Sequence, residues 1–336
     1  MPTIRERVSL KPYNTLGFAV EARFFVHADS LDSLREAAAF ARDKNLPLLL
    51  LGGGSNIVLT QPFAGVAVEL ALRGRHITPG ARPVLTASAG ENWHQLVQWS
   101  LQQQAFGLEN LSLIPGTLGA APIQNIGAYG VELRDSFSGL QAMQLSTGDI
   151  HHFSAADCQF GYRDSVFKGE LQDQYAIVQV SLSLHKQDRP NTDYAALREL
   201  LERQQQAMTA QAVSDAVCTL RRSKLPDPAV LGNAGSFFKN PVVDNAHLQQ
   251  LKTAWPHIVA HPVSPTQSKL AAGWLVEQAG FKGCTYQGVG VHEQQALVLV
   301  NRGTGTGQQL LALAAEIQAA VQQQFSVQLE IEPRIY

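Results

Sequence analysis

The sequence predicts an α+β fold in more than one lobe, and three observations carry this reading. The chain has 336 residues, more than the roughly 100–200 of one ordinary domain. Segments of helical and of strand period are mixed along it without a strict βαβ repeat. A stretch dense in proline and glycine, residues 224–241 (KLPDPAVLGNAGSFFKNP), punctuates the chain as a domain boundary does.

The elements follow in order. Residues 29–52 read as helix then strand: Asp29 or Ser30 can cap, and Leu31, Leu34, Ala37, Ala38 and Ala41 recur at helical spacing. Leu48 to Leu51 form a short apolar run that empties into glycine, as a buried strand does. A second amphipathic helix is expected over residues 91–104, with Trp93, Leu96, Val97 and Leu101 on one side. Residues 137–186 alternate as strands do, 187–194 (QDRPNTDY) form a polar insertion, and 195–222 look helical and glutamine-rich. Beyond the boundary, a helix is expected from Ser268 as N-cap to Gly280 just past its end. A strand at 296–301 and a helix at 308–325 follow. In the last segment, Val327, Leu329 and Ile331 alternate with Gln328, Glu330 and Glu332, the pattern of a half-buried strand.

Composition excludes several functions. Hydrophobic residues make up 45% and charged residues 16%, a balance that buries a core. The formal net charge of -2 lacks the basic excess of a nucleic-acid binder or anionic-membrane binder, so neither partner is expected. Three dispersed cysteines, Cys158, Cys218 and Cys284, fit neither a disulfide framework nor a zinc site. His151 and His152 are strand neighbours pointing to opposite faces, so no metal is expected there. Cys158 reads as a small core residue. With no apolar N-terminal run, the expectation is a cytoplasmic protein. With no sustained apolar interface helix, it is a monomer.

Two glycine-rich stretches carry the chemistry. Gly52-Gly53-Gly54-Ser55-Asn56 follows a strand, and consecutive glycines let main chain approach a diphosphate and present N–H groups to it. Alone, it is more often a plain turn; it is neither a GxGxxG nor a Walker loop. The second stretch, LSLIPGTLGAAPIQNIGAYG over residues 111–130, has almost no charge and is crowded with small residues. Those residues allow a flat aromatic ring system to lie against main chain. The alternative is a tightly packed loop between lobes, and the two stretches together favour the ligand.

LGGGSN, IPGTLGAAPIQNIGAYG, FGYRDSVFK and NAGSFFKNP, in this order, resemble the UDP-N-acetylenolpyruvoylglucosamine reductases (UDP-N-acetylmuramate dehydrogenases) of the MurB type. The resemblance runs from Asn14-Thr15-Leu16-Gly17 to Glu332-Pro333-Arg334. It implies a two-lobed FAD-binding domain of the vanillyl-alcohol-oxidase/PCMH type, with lobes over residues 1–70 and 71–223. A C-terminal α+β substrate domain over 224–336 would follow, its last strand returning to the active site. Implied FAD contacts are Gly52, Gly53, Gly54, Ser55 and Asn56, then Ile114, Pro115, Gly116, Thr117 and Gly119, then Asn125, Gly127, Ala128, Tyr129 and Gly130. Some relatives carry serines where Ala120-Ala121 stand. The implied activity is reduction of a UDP-sugar enol ether with NADPH as co-substrate, in peptidoglycan precursor synthesis. The resemblance implies that hydride passes through flavin N5 to the vinyl carbon.

That reaction needs a proton donor and a stabiliser of the enolate-like charge beside a carboxylate. The resemblance assigns the proton to Ser236, which by sequence alone reads as a turn serine bonded to its own backbone. It assigns the carboxylate to Arg163, whose guanidinium forks onto such a group; a local pair with Asp164 is the competing reading. Glu330, Glu332 and Arg334 share a strand face, and spacing does not choose between the glutamates. The resemblance favours Glu332, although proline here follows this glutamate where some relatives place it before. For the nucleotide sugar it implies Lys224 and Lys269 at the diphosphate, Asn240, Gln295 and Arg334 at polar groups, and Tyr162 and Tyr194 stacking or closing over the ligand. Each lysine alone is more often a solvated charge. The 187–194 insertion resembles the larger of the two family types, in which a tyrosine loop folds over substrate. Two other classes remain in view: an FAD oxidase of a small alcohol, and a binding module without catalysis.

Overall fold

A computed structural model describes residues 3–205 and 207–336. Its chain divides into two compact units. The first comprises the residues up to Val8, Glu21–Gly54 and Phe63–Ser223; the second comprises Ser9–Val20, Ser55–Pro62 and Lys224–Tyr336.

In the first unit, a four-stranded sheet has the order Arg5–Ser9, Glu21–Ala28, Phe63–Leu70, Leu48–Leu51, and its last three strands are parallel. The helix Leu31–Asp43 supplies the crossover that parallel pairing requires. Ser30 caps it by accepting the N–H of Ser33, and Leu34, Ala37, Ala38 and Ala41 are buried at the expected spacing. These join Phe24, Val26, Val66 and Val68 in one core. A second sheet of five antiparallel strands has the order Ile150–Phe153, Phe137–Gln144, Tyr175–Ser183, Val84–Ser88, Arg75–Thr78. The helix Trp93–Gln102, capped by Asn92, packs Trp93, Leu96 and Val97 into its core with Leu118, Leu133 and Cys158. Burial and the charge of Asp157 push the Cys158 thiol up to about 12, so it is not a nucleophile at neutral pH.

In the second unit, the strands Gly232–Ser236, Val298–Asn301, Val289–Val291 and Thr285–Tyr286 form an antiparallel sheet. The helix Gly307–Phe325 shares its core through Leu310, Leu313, Ala314 and Ile317, packed with Val289, Val291 and Leu299. A small sheet of Val242–Asp244, Gln267–Leu270 and Ala260–Pro262 stands beside the helices Asn245–Ala254 and Ala272–Gln278. The two early segments are tied in by hydrogen bonds. Thr15 Oγ1 donates to Asn233 O (2.7 Å), and Asn301 Nδ2 donates to Leu16 O (2.7 Å). The strand Ile57–Val58 pairs in parallel with Arg334–Ile335.

Three expectations are corrected. The helix over 195–222 is two helices, Ala195–Arg203 and Ala210–Lys224. Gln205 takes a left-handed φ of 51°, and Thr209 starts a new helix by accepting the Ala212 N–H (3.2 Å); these two local features outweigh helix propensity. Ser268 caps no helix: it lies in the strand Gln267–Leu270, and its hydroxyl donates to Asn245 Oδ1 (2.7 Å). The helix starts at Ala272, whose N–H is taken by Asn240 Oδ1 (2.9 Å), a group 32 residues away. The last segment keeps its alternating burial from Phe325 to Glu330 but forms only a single bridge, Ile331 with Phe238. Pro333 has no N–H to extend that pairing, and regular pairing resumes at Arg334.

Candidate active site

In the first unit the two glycine stretches meet main chain to main chain. A Cβ on Gly53 would lie 2.7 Å from Gly116 Cα, and one on Gly52 would run into Thr117 Oγ1. The 116–119 loop is itself held by the segment before the helix Trp93–Gln102. Trp93 N–H donates to Gly116 O (3.1 Å), Leu118 N–H to Glu91 O (2.9 Å) and Gly119 N–H to Ala89 O (2.8 Å). A Cβ on Gly119 would strike Ala89 Cβ at 2.5 Å. Glycine is demanded here by close packing, so a bare main-chain cradle is built into the unit. Such a cradle fits a diphosphate and a flat ring. Ala120 is exposed at its rim and Ala121 is buried.

The start of this loop is gripped from both sides. Leu113 has a left-handed φ of 59°; its N–H donates to His94 Nδ1 (3.0 Å), and its carbonyl accepts from Arg221 Nε (3.1 Å). Burial, and then the charges of Arg222 and Arg221, hold the His94 pKa below its ordinary 6.5. The neutral ring suits an acceptor nitrogen. Because the folded value lies below the unfolded one, the unfolded chain takes up the proton first. Stability is therefore complete above about pH 6.5 and declines as pH falls through the folded value. In urea titrations from pH 7 down to 5, His94→Gln is expected to show a shallower loss than the parent; an identical slope would remove His94 from this role.

The 124–130 turn reaches the Arg163 segment. Asn125, fully buried, donates to Glu132 Oε2 (2.9 Å) and Gly161 O (3.0 Å) and accepts the Arg134 N–H (3.0 Å). Its side chain thus braces the loop. Arg163 donates to Gly127 O (2.7 Å), and a Cβ on Gly127 would lie 3.1 Å from the guanidinium. Tyr162 lies half-exposed beside that guanidinium, 5.7 Å from ring centre to Cζ. Tyr129, at a left-handed φ of 50°, meets Tyr194 edge to face with centroids 5.1 Å apart. Asn110 Nδ2 donates both to Tyr129 O (3.0 Å) and to Asn191 O (2.9 Å), which ties the 187–194 insertion to the turn.

In the second unit the strand Gly232–Ser236 carries a one-residue bulge. Asn233 pairs with Val300, but Ser236, three residues on, pairs with Val298. Gly235 takes φ 70°, and Asn233 Oδ1 accepts its N–H (3.0 Å), locking the bulge. Without the extra residue Ser236 would fall on the face of Ala234, which is in the core. With it, Ser236 shares the opposite face with Asn233 and Phe237 turns inward. The C-terminal segment runs alongside: Glu332 N–H donates to Phe237 O (2.9 Å), and Lys239 N–H donates to Glu330 O (2.9 Å). Glu330 is an exposed partner of Lys239 in an ion pair, whereas Glu332 stands across from the residue after Ser236. This separates the two glutamates that spacing left equal.

Relatives of known name match the chain from end to end. The UDP-N-acetylenolpyruvoylglucosamine reductase of Pseudomonas aeruginosa is 51% identical over 336 residues, covering 99% of each chain. The chain belongs to the UDP-N-acetylenolpyruvoylglucosamine reductase family. That of Pseudomonas putida is 50% identical over 335 residues, 99% of this chain and 98% of its own. The family's C-terminal domain model matches residues 227–336, and an FAD binding domain model matches 22–154. FAD is therefore the cofactor, and the glycine cradle at Gly52, Gly53, Gly116 and Gly119 falls within its domain. The reductase structure from Thermus caldophilus superposes with a TM-score of 0.68 at 24% identity, covering 99% of this chain and all of that one, which shows the shared fold. No described helix is long and apolar enough to cross a membrane.

Of the residues expected at the site, Gly52 to Gly54, Ile114 to Gly119, Asn125 to Gly130, Tyr162, Arg163 and Tyr194 fall in the first unit. Ser55, Asn56, Lys224, Ser236, Asn240, Lys269, Gln295, Glu332 and Arg334 fall in the second. Within the second, Arg334 N–H donates to Asn56 O (3.0 Å), and Gln295 Oε1 accepts the Leu297 N–H at 3.4 Å. Lys269 pairs in register with Val242 and His261. Sequence reasoning passed over His94, Asn110, Glu132 and Arg221. His94, Asn110 and Arg221 act on main chain at least 19 residues away, Glu132 accepts from the Asn125 side chain, and no local pattern announces such bonds.

Proposed function

We propose that this chain reduces UDP-N-acetylglucosamine enolpyruvate to UDP-N-acetylmuramate, with NADPH as the reductant. The observation that carries the reading is the Gly235 bulge, which turns the Ser236 hydroxyl out of the core face with the Glu332 main chain alongside. The lobes 1–70 and 71–223 hold FAD in this reading, and 224–336 holds the sugar nucleotide. Bound FAD supplies the two-electron transfer between NADPH and the alkene. The residues do the rest. Arg163, permanently charged, forks onto the substrate carboxylate and offsets charge developing on the adjacent carbon. Ser236 gives that carbon its proton: an O–H bond breaks, a C–H bond forms, and the hydroxyl recovers a proton from solvent. Glu332 helps to polarise the intermediate. Substrate, NADPH and one proton become product and NADP⁺.

Lys224 and Lys269 would neutralise the diphosphate. Asn240 offers its NH₂, since its oxygen is engaged by Ala272, and Gln295 and Arg334 add polar contacts. Tyr162 and Tyr194, each half-exposed, close over the ligand. Tyr194→Phe is expected to raise the substrate Kd several-fold, the effect of losing about one hydrogen bond. Flavin reduction by NADPH should hold its rate, and unchanged affinity would remove the lid role. The reading as a whole is tested with the yellow holoprotein under argon. NADPH should bleach the 450-nm region (roughly where oxidised flavins absorb), and the enolpyruvyl UDP-sugar should restore it. Bleaching without restoration favours another acceptor, as in an oxidase, and no bleaching favours a binding module.

A further inference from the structure

Among the described residues, His292 Nδ1 is the buried side-chain nitrogen or oxygen that no hydrogen bond satisfies. His292 follows the strand Val289–Val291, and its N–H donates to Val298 O (2.9 Å). Val291 pairs with Leu299, so the register carries on to place His292 opposite Val298. Val298 in turn pairs with Ser236 on its other side. Residues opposite one another in antiparallel strands share a face. Ser236, Val298 and His292 therefore form one row across three strands, with His292 two strand spacings, about 10 Å, from Ser236. Gln295 closes the same turn, its carbonyl accepting the Val298 N–H (3.0 Å).

The orphan nitrogen decides the tautomer. A buried donor without an acceptor costs more than a buried acceptor left bare, so Nδ1 stays unprotonated and the N–H sits on Nε2. The residue is only part-buried, and of its two ring nitrogens Nδ1 alone is buried without a partner. The imidazole thus presents an N–H donor on the face of Ser236. We propose that His292 is a substrate-binding residue that donates from Nε2 to the bound nucleotide sugar, in the same row as the hydroxyl that protonates it. This rests on the reductase reading above.

Two amides separate this role from a packing one. A glutamine amide reaches roughly to the Nε2 position and an asparagine amide only to Nδ1. UDP-N-acetylmuramate is titrated into the oxidised holoenzyme, and binding is read from the flavin absorbance change. His292→Asn is expected to raise Kd by about 3–10-fold, the effect of one lost hydrogen bond, and His292→Gln to stay within about 2-fold of the parent. FAD content and melting temperature are measured on the same samples. Equal affinity in parent and both variants overturns the proposal. So does rescue by asparagine but not glutamine, or loss of FAD from both variants, which marks a structural role. A parent that neither binds the UDP-sugar nor is reoxidised by its enolpyruvyl form defeats the reductase reading itself, an outcome that the variants play no part in.

Discussion

In Ser236→Ala, NADPH should bleach the flavin at nearly the parent rate, while reoxidation by the enolpyruvyl UDP-sugar slows by ~10²–10⁴-fold or more, the scale set by a positioned general acid. The asymmetry is what identifies the role. A hydroxyl that only packs would affect neither half, and one that binds both ligands would affect both. The chain commits unusual local structure to this one side chain. Gly235 adopts φ 70°, Asn233 Oδ1 holds the Gly235 N–H, and Thr15 holds the Asn233 carbonyl, all to shift the register by one residue. A Cβ at Gly235 would meet nothing within 4 Å, so its need is conformational and not steric. Stopped-flow traces of the two half-reactions decide the matter; equal slowing in both sinks the assignment.

Gly53→Ala should yield a colourless protein or an unstable one. The added Cβ would stand 2.7 Å from Gly116 Cα, and main chain has no rotamer with which to retreat. Gly116 is pinned through its carbonyl to Trp93, which is itself buried in the core and bonded through Nε1 to Leu111 O (2.8 Å). Relief must come from parting the two loops of the cradle. Overpacking of this kind costs about 1–3 kcal/mol in stability, and under the proposed reading it also displaces the main-chain donors offered to the cofactor. The measurement is the 280-to-450-nm absorbance ratio of purified protein (roughly the protein and flavin bands), with FAD titrated back by fluorescence. Full flavin content with parent affinity would show that the close approach of the loops is not what holds the ring.

Much of the fold was readable because its cause is local. The buried residues of Leu31–Asp43 and Trp93–Gln102 sit at helical spacing, and the strand Leu48–Leu51 ends in glycine as its pattern requires. Where the reading failed, a distant group had taken over a local task. Ser268 has the chemistry of a cap, yet the helix began four residues later because Asn240 supplied the acceptor. The helical stretch expected over 195–222 is interrupted by a turn at Gln205 and a fresh cap at Thr209, both of which the run of glutamines concealed.

By itself, the sequence determined the helical and strand periods and the order of motifs that marks the family. The periods depend on residues within a few positions of one another, and each motif is a short run, so both are legible without knowledge of contacts; that no side chain fits at Gly53 was decided by Gly116, 63 residues away. Only the tertiary structure decided which face Ser236 occupies, which of Glu330 and Glu332 runs beside it, and that Tyr194 leans on Tyr129. It also decided that residues Ser9–Val20 and Ser55–Pro62 complete the second unit. The reason is that a buried N–H or carbonyl must be satisfied by whichever segment arrives, and the sequence states the need without naming the partner.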